Sequence, residues 1–286
     1  MSIDGGDSMK LKYLGTAAAE GWPAVFCNCE YCLKAKKAGG RNIRTRSQAM
    51  INGDMLIDFP TDTNMHMLTN GLDLSAVKYI IVTHSHLDHF QPLDLFFHHE
   101  LCYAHEMTEK HISLYGNRSV MEKYRHYIGC RDDEDQRIGV TPSEFKAFTT
   151  YTLGNYEVTP LPAYHAEGQD AFVYLIREGK KTILYLHDTG LPPESVYEYL
   201  TENGIKADLI SYDCTYVILP SGGGHLGLDS CVAVRDKLCD LGIATEKTIH
   251  IINHFSHNGK LIHDELVPVA AELGFLTSYD GMEVEI

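Results

Sequence analysis

Positive charge is scarce in this chain of 286 residues: 24 Lys and Arg stand against 39 Asp and Glu, a formal net charge of −15 with histidine counted neutral. Such a surface repels a phosphate backbone over most of its extent, which argues against a polynucleotide partner. The basic residues gather only at Lys34 to Lys37 and Arg41 to Arg46. Long apolar runs are absent too. None reaches the ~18 to 20 residues of a spanning helix, and Met1 to Lys10 lacks the apolar stretch of a secretory signal. The expectation is a soluble, cytoplasmic protein with no membrane partner. With no Ser/Pro-rich linker and no internal repeat, residues 1–286 read as a single domain. Hydrophobic residues at 44% and charged residues at 22% exclude disordered, collagen-like and coiled-coil classes. What the chain has in excess is metal-ligand side chains: 16 His and 8 Cys, three of the cysteines within six residues.

Short apolar runs alternate with helical patterns, the mark of an α/β chain. Strands are expected at Lys10–Leu14, Ala49–Ile51, Met55–Ile57, Val77–Val82, Glu157–Leu161, Ala171–Arg177, Thr182–Leu186, Asp208–Tyr212 and Ile249–Ile252, with Asn52-Gly53 as a two-residue hairpin signal. Helices are expected at Ser119–Ile128, Pro193–Asn203, Leu228–Leu241 and Leu261–Leu273. In the third, Leu228, Cys231, Val234, Leu238 and Leu241 recur every three or four residues and make one apolar face. Cys231 therefore reads as core, and Cys102, Cys130, Cys214 and Cys239, which lack ligand spacing, read as small buried hydrophobes. The acidic run Arg131 to Arg137 reads as a solvated loop.

The run Val77–Val82 leads straight into Thr83-His84-Ser85-His86-Leu87-Asp88-His89. On an extended chain His84 and His86 point to one side and can share one ion. Asp88 and His89 follow as the chain turns and suit a second ion close by. Further ligands must come from elsewhere, and His165, Asp188 and His254 each follow an apolar run in the same way. A carboxylate such as Asp188 can bridge two cations about 3.5 to 4 Å apart. His187 competes with it, but adjacent strand residues point to opposite faces.

A second constellation is Cys27-Asn28-Cys29-Glu30-Tyr31-Cys32. Zinc takes four ligands in a closed structural site, so the fourth must come from a distant part of the chain. His257, His263 and His66 are the candidates.

His84, His86, Asp88 and His89 match in full the H-x-H-x-D-H motif of the metallo-β-lactamase superfamily, which the chain resembles from about Leu11 to its C-terminus. The resemblance implies a four-layered αββα sandwich with a dinuclear site at one edge, and its later ligands fall in order on His165, Asp188 and His254. Asp58 matches an aspartate that orients a metal-bound histidine in that family, although Phe59-Pro60 replaces the usual Ala-Gly after it. The cysteine motif, the two-metal motif and the C-terminal Asp280-Gly281-Met282-Glu283 together resemble PhnP-type phosphodiesterases, which accompany carbon–phosphorus lyase. That resemblance implies a structural zinc on Cys27, Cys29, Cys32 and His257, the histidine three residues after His254. It departs at Gly15–Ala19 and in a longer segment before His165. The domain then carries a cysteine zinc loop at 22–46 and an insertion between 93 and 150.

The chemistry expected is hydrolysis. Two cations sharing a water lower its pKa from about 15.7 towards about 7, which makes hydroxide available at neutral pH. With His and Asp ligands the active-site pair can be Zn or Mn. His225, within Ser221-Gly222-Gly223-Gly224-His225-Leu226-Gly227, sits in a glycine-rich loop that can bring it close to the metals, and it matches a histidine that acts on the leaving group in PhnP-type enzymes. Asp88 and His225 are the residues read as catalytic. The expected partner is a small, cyclic phosphodiester substrate, with a homodimer as the one self-association considered. Redox members of the superfamily usually carry glutamate where His86 stands. Lactonase, thioesterase, glyoxalase and β-lactamase chemistry use similar ligands, and a PqqB-like carrier is the non-catalytic alternative.

Overall fold

The computed structural model describes residues 8–100, 102–129, 137–165 and 170–286. Cys130 and nearly all of the run 131–137 lie outside the described residues. Two seven-stranded sheets form the centre, with strands numbered here in chain order. The first holds β1 (Lys10–Gly15), β2 (Gln48–Ile51), β3 (Met55–Ile57), β4 (Tyr79–Ile81), β5 (Ile112–Gly116) and β6 (Val140–Glu144) as successive neighbours. The second holds β7 (Tyr151–Leu153), β8 (Tyr156–Pro162), β9 (Phe172–Glu178), β10 (Lys181–Leu186), β11 (Leu209–Asp213), β12 (Ile249–Asn253) and β13 (Leu276–Thr277). A last strand, β14 (Glu283–Glu285), pairs with β1.

Side-chain alternation explains the layering. Along β10, Ile183 and Tyr185 enter the core between the sheets, where Tyr13, Ile51, Ile57 and Ile81 meet them from the first sheet. Leu184 and Leu186 face the other way, onto helices. A strand buried on both faces reads as a near-continuous apolar run, which is how β10 looks in the sequence, while Ser211 in β11 and His250 in β12 break the pattern. The helices are α1 (Glu30–Ala38), α2 (Thr63–Asn70), α3 (Arg118–Ile128), α4 (Glu194–Glu202), α5 (Leu228–Asp240) and α6 (His263–Glu272). Val120, Met121 and Tyr124 of α3 cover the outer face of the first sheet. Val196, Cys231, Val234, Leu238 and Leu266 of α4, α5 and α6 cover that of the second. The result is the αββα sandwich. No helix among the described residues is long and apolar enough to cross a membrane.

Four expectations need correction. The hairpin between β2 and β3 has three loop residues, because Ile51 pairs with Met55 and Asp54 joins Asn52-Gly53 in the turn. Leu241 ends α5 and is 38% exposed rather than part of its buried face. Cys102 and Cys239 are exposed, unlike Cys214 and Cys231. Residues 112–144, placed by the sequence reading within an insertion, supply β5 and β6 to the first sheet and α3 to its cover.

Strand direction positions the site. β3 and β4 are parallel, as are β10, β11 and β12, and β8 runs with them because β9 is antiparallel to both β8 and β10. Asp58, His84, His165, Asp188 and His254 each follow the C-terminal end of one of these strands, and Asp213 ends another.

Candidate metal centre

Three of these residues leave their strands in the left-handed backbone region: Asp58 (φ 66°), Asp188 (φ 57°) and His254 (φ 65°). Each costs about 1 to 3 kcal/mol for a residue with a Cβ, a strain typical of functional sites. The turn carries each side chain off the sheet and into a common focus. His84, His86, His165 and Asp188 present ligand atoms within 4.8 Å of one another, and so do Asp88, His89, Asp188 and His254. Asp188 belongs to both groups. His84 Nε2 lies 3.3 Å from Asp188 Oδ2, and His86 Nδ1 lies 3.3 Å from His165 Nε2. In the second group His89 Nε2 is 3.0 Å from Asp188 Oδ2, 3.3 Å from Asp88 Oδ2 and 3.2 Å from His254 Nε2. Donor arms of about 2.1 Å in a tetrahedral or octahedral shell are separated by roughly 3.0 to 3.4 Å, so these spacings fit one ion per group. His84 Nε2 is buried and makes no hydrogen bond, as a nitrogen lone pair reserved for a cation does.

The electrostatics agree. Burial would push the His89 pKa down, yet Asp58, Asp88 and Asp188 outweigh it and raise it well above the ordinary value. Burial and the neighbouring His89 hold His84 neutral, with its pKa well below the usual range. Burial would raise Asp188, but His254, His225 and His89 keep it well below the usual carboxylate range. A buried cluster of carboxylates matched only by shared imidazole protons is what two divalent cations would neutralise.

The ligands are themselves held. Asp58 Oδ2 lies 2.6 Å from His89 Nδ1, while its Oδ1 accepts from the backbone N–H (2.8 Å) and hydroxyl (2.9 Å) of Thr83. Asp213, which the sequence reading missed, does the same for His254: its Oδ2 is 3.4 Å from His254 Nδ1, with Thr215 Oγ1 between them at 3.1 and 2.8 Å. Its pKa is held at about 2, His225 and His254 outweighing burial. The signal was present, since Asp213 also closes an apolar strand. His187 points away, to Ser211 Oγ at 2.6 Å and Asn253 Nδ2 at 3.1 Å.

His225 stands at the rim. Its Nδ1 lies 3.0 Å from Asp188 Oδ1 and 3.2 Å from Asp213 Oδ2, and the two carboxylates outweigh burial to raise its pKa to about 11. The loop before it fits tightly, for a Cβ on Gly224 would sit 2.8 Å from His165 Nδ1. His225 thus shares a ligand-distance group with Asp188, Asp213 and His254. Its ring lines both a cleft of about 280 Å³, over His86, Asp88, His165, Asp188 and His254, and a smaller hollow of about 130 Å³.

At the other constellation Cys27, Cys29, Cys32 and His257 bring their ligand atoms within 4.8 Å. His257 Nδ1 is 3.5 Å from Cys29 Sγ and 3.8 Å from Cys27 Sγ. A tetrahedron with arms of about 2.3 Å to sulfur and 2.0 Å to nitrogen has S···N edges near 3.5 Å, so the set fits zinc. Burial opposes ionisation of Cys29, but hydrogen bonds from the Cys32 backbone, Cys27 and His257 lower its pKa to about 6. The other two candidates are engaged elsewhere: His66 with Thr45 and Gln48, His263 with Arg44.

Residues 55–251 match the family model of the beta-lactamase superfamily domain. The chain belongs to that superfamily. Its fold is similar to that of a diphosphatase from the PhnP family (22% identity over 98% of both chains, TM-score 0.74). It is also similar to Zn²⁺-bound PqqB from Methylobacterium extorquens (17% identity, 97% of this chain and 100% of that one, TM-score 0.75). Unliganded yeast PDE1 shares it at 13% identity, over 97% of this chain and 99% of that one, with a TM-score of 0.66. No curated protein matches the chain by sequence. Within this hydrolase fold family, divalent metal binding is the reading that the His and Asp clusters fit.

Proposed function

We propose that the chain is a dinuclear metal-dependent phosphodiesterase that acts on small phosphodiesters. The observation that carries this is the pair of four-ligand groups sharing Asp188 at the floor of one cleft, with His225 on its wall. His84, His86, His165 and Asp188 would hold one ion, and Asp88, His89, His254 and Asp188 the other. When bound, two divalent ions, Zn or Mn, supply Lewis acidity, charge neutralisation and a nucleophile at neutral pH. The chain's own residues do the rest. Asp58 and Asp213 fix the orientation of His89 and His254. Asp213 also accepts from the Leu226 N–H at 2.9 Å and so anchors the loop that carries His225. With Nδ1 turned to the carboxylates, the second ring nitrogen of His225 is the group that can donate a proton to a departing alkoxide. Cys27, Cys29, Cys32 and His257 would hold a structural zinc, which would tie the loop after β1 to the segment that follows His254.

The similarity to a PhnP-family diphosphatase supports the phosphoester reading, and the full ligand set favours an enzyme over a carrier. The test is a panel of cyclic and linear phosphodiesters, lactones and thioesters offered to metal-loaded protein. Phosphodiesters are expected to be hydrolysed best. A lactone or thioester preferred by kcat/KM overturns the assignment.

A further inference from the structure

The cleft has a charge pattern that metal ligation does not explain. Its walls away from the ligands are formed by Ala18, Ala19, Thr215, Tyr216, Ser256 and Asn258, together with one acid, Glu20. No Lys or Arg lines the cleft or the hollow beside it among the described residues. Arg46 reaches the rim through a bond from Nε to Ala19 O (2.9 Å), but its NH1 is forked onto both oxygens of Asp62 at 3.0 and 3.1 Å. Helix α5 begins three residues after His225, and its Ser230 amide is already taken by Asp229 Oδ1 at 2.7 Å. The Arg46 charge is thus matched by Asp62 and that amide is occupied, and the one other cation on the cleft wall, the His225 imidazolium, has its charge matched by Asp188 at 3.0 Å and Asp213 at 3.2 Å.

Glu20 is fixed in place. Its Oε1 accepts from Ser256 Oγ at 2.5 Å and faces His257 Nε2 at 3.6 Å, while the other nitrogen of that ring meets the cysteines. The cysteine set thus holds the carboxylate from behind. The side chain stays 31% exposed, enough to meet a ligand in the cleft.

Resting on the phosphodiesterase reading, the geometry points to Glu20 as the residue that selects substrate charge: the cleft takes phosphodiesters whose remaining groups are neutral and hydroxyl-bearing, and rejects those carrying a second, terminal phosphate. A hydroxyl can donate to the Glu20 carboxylate, which only accepts. A terminal phosphate brings about −1.5 to −2 charge and needs Arg, Lys or free amides to pair with. Here it meets a carboxylate. At about 7 Å and an effective dielectric of about 40, the repulsion weakens binding by about twenty- to fiftyfold.

Calorimetric titration of the metal-loaded protein with adenosine 3′-monophosphate and adenosine 3′,5′-bisphosphate tests this without turnover. The wild-type chain should bind the bisphosphate at least about tenfold more weakly. Glu20→Gln keeps an acceptor for Ser256 and should shrink the ratio to about threefold or less, whereas Glu20→Asp should preserve it. Equal or tighter binding of the bisphosphate by the wild type, or a ratio unchanged in Glu20→Gln, overturns the inference. The predicted order of binding with no phosphodiester hydrolysed removes the phosphodiesterase reading and leaves charge selection by Glu20 standing. Phosphodiester hydrolysis with the order reversed does the opposite.

Discussion

Replacing Asp213 separates the two jobs its carboxylate performs. Oδ1 accepts from the buried amides of Thr215 (3.1 Å) and Leu226 (2.9 Å), and Oδ2 lies 3.2 Å from His225 Nδ1 and 3.4 Å from His254 Nδ1. Asp213→Ala orphans both amides. At about 1 to 3 kcal/mol for each unsatisfied buried donor, the metal-free protein should lose about 2 to 6 kcal/mol, read from urea unfolding. Asp213→Asn keeps an oxygen for the amides and should cost about 1 kcal/mol. Both variants remove the acceptor that orients His254, and the loss of such an outer partner typically weakens metal affinity or activity by about 10- to 100-fold. The decisive case is Asp213→Asn, assayed by chelator competition and by kcat/KM. Near-native stability should accompany a ten- to hundredfold drop in both. Unchanged metal affinity and activity in that variant, or an alanine variant as stable as the asparagine one, would refute the division of labour.

Two further outcomes follow from the ligand groups. Asp188→Ala should abolish turnover and leave the fold intact by circular dichroism, because both groups lose their common carboxylate; normal activity in the folded variant would return His187 to consideration. Elemental analysis should find three transition-metal ions per wild-type chain and two in Cys29→Ser, since the cysteine set and the cleft share no ligand. Loss of all the metal, or of none, would contradict that separation.

The sequence exposes the parts of this site that are dense and hides those assembled across distance. His84 to His89 follow directly on the apolar run of β4, so their clustering is visible without coordinates. Asp58, His165, Asp188 and His254 share the same syntax, an apolar strand and then a ligand. Asp213 shares it too, but Ser211 interrupts its strand, and its partners lie 12 and 41 residues further along the chain. Its meaning emerges only when β11 and β12 lie side by side. The edge strands were equally hidden. β6 contains Pro142 and is mostly exposed or half-buried, as edge strands often are, so it carries no apolar run to detect. Helix α2 places Met and Thr around a weak apolar face, and α1 is read first as a cysteine cluster. Cys239 sits one position past Leu238 and is therefore rotated about 100° off the buried stripe of α5. That rotation turns an apparent core cysteine outward.

The measurement that bears most directly on phosphodiester hydrolysis in this cleft is the leaving-group dependence of His225→Ala. General-acid help is worth about 10² to 10⁴ in rate where the departing alkoxide is poor, and little where it is a nitrophenolate. The variant should therefore lose about that factor on a 2′,3′-cyclic nucleotide and much less on bis(nitrophenyl) phosphate, with its metal content unchanged. An equal loss on both substrates would make His225 a group that positions phosphate. Loss of one ion would make it a ligand alongside Asp188, Asp213 and His254, and no loss of rate on either substrate would contradict the role assigned to it altogether.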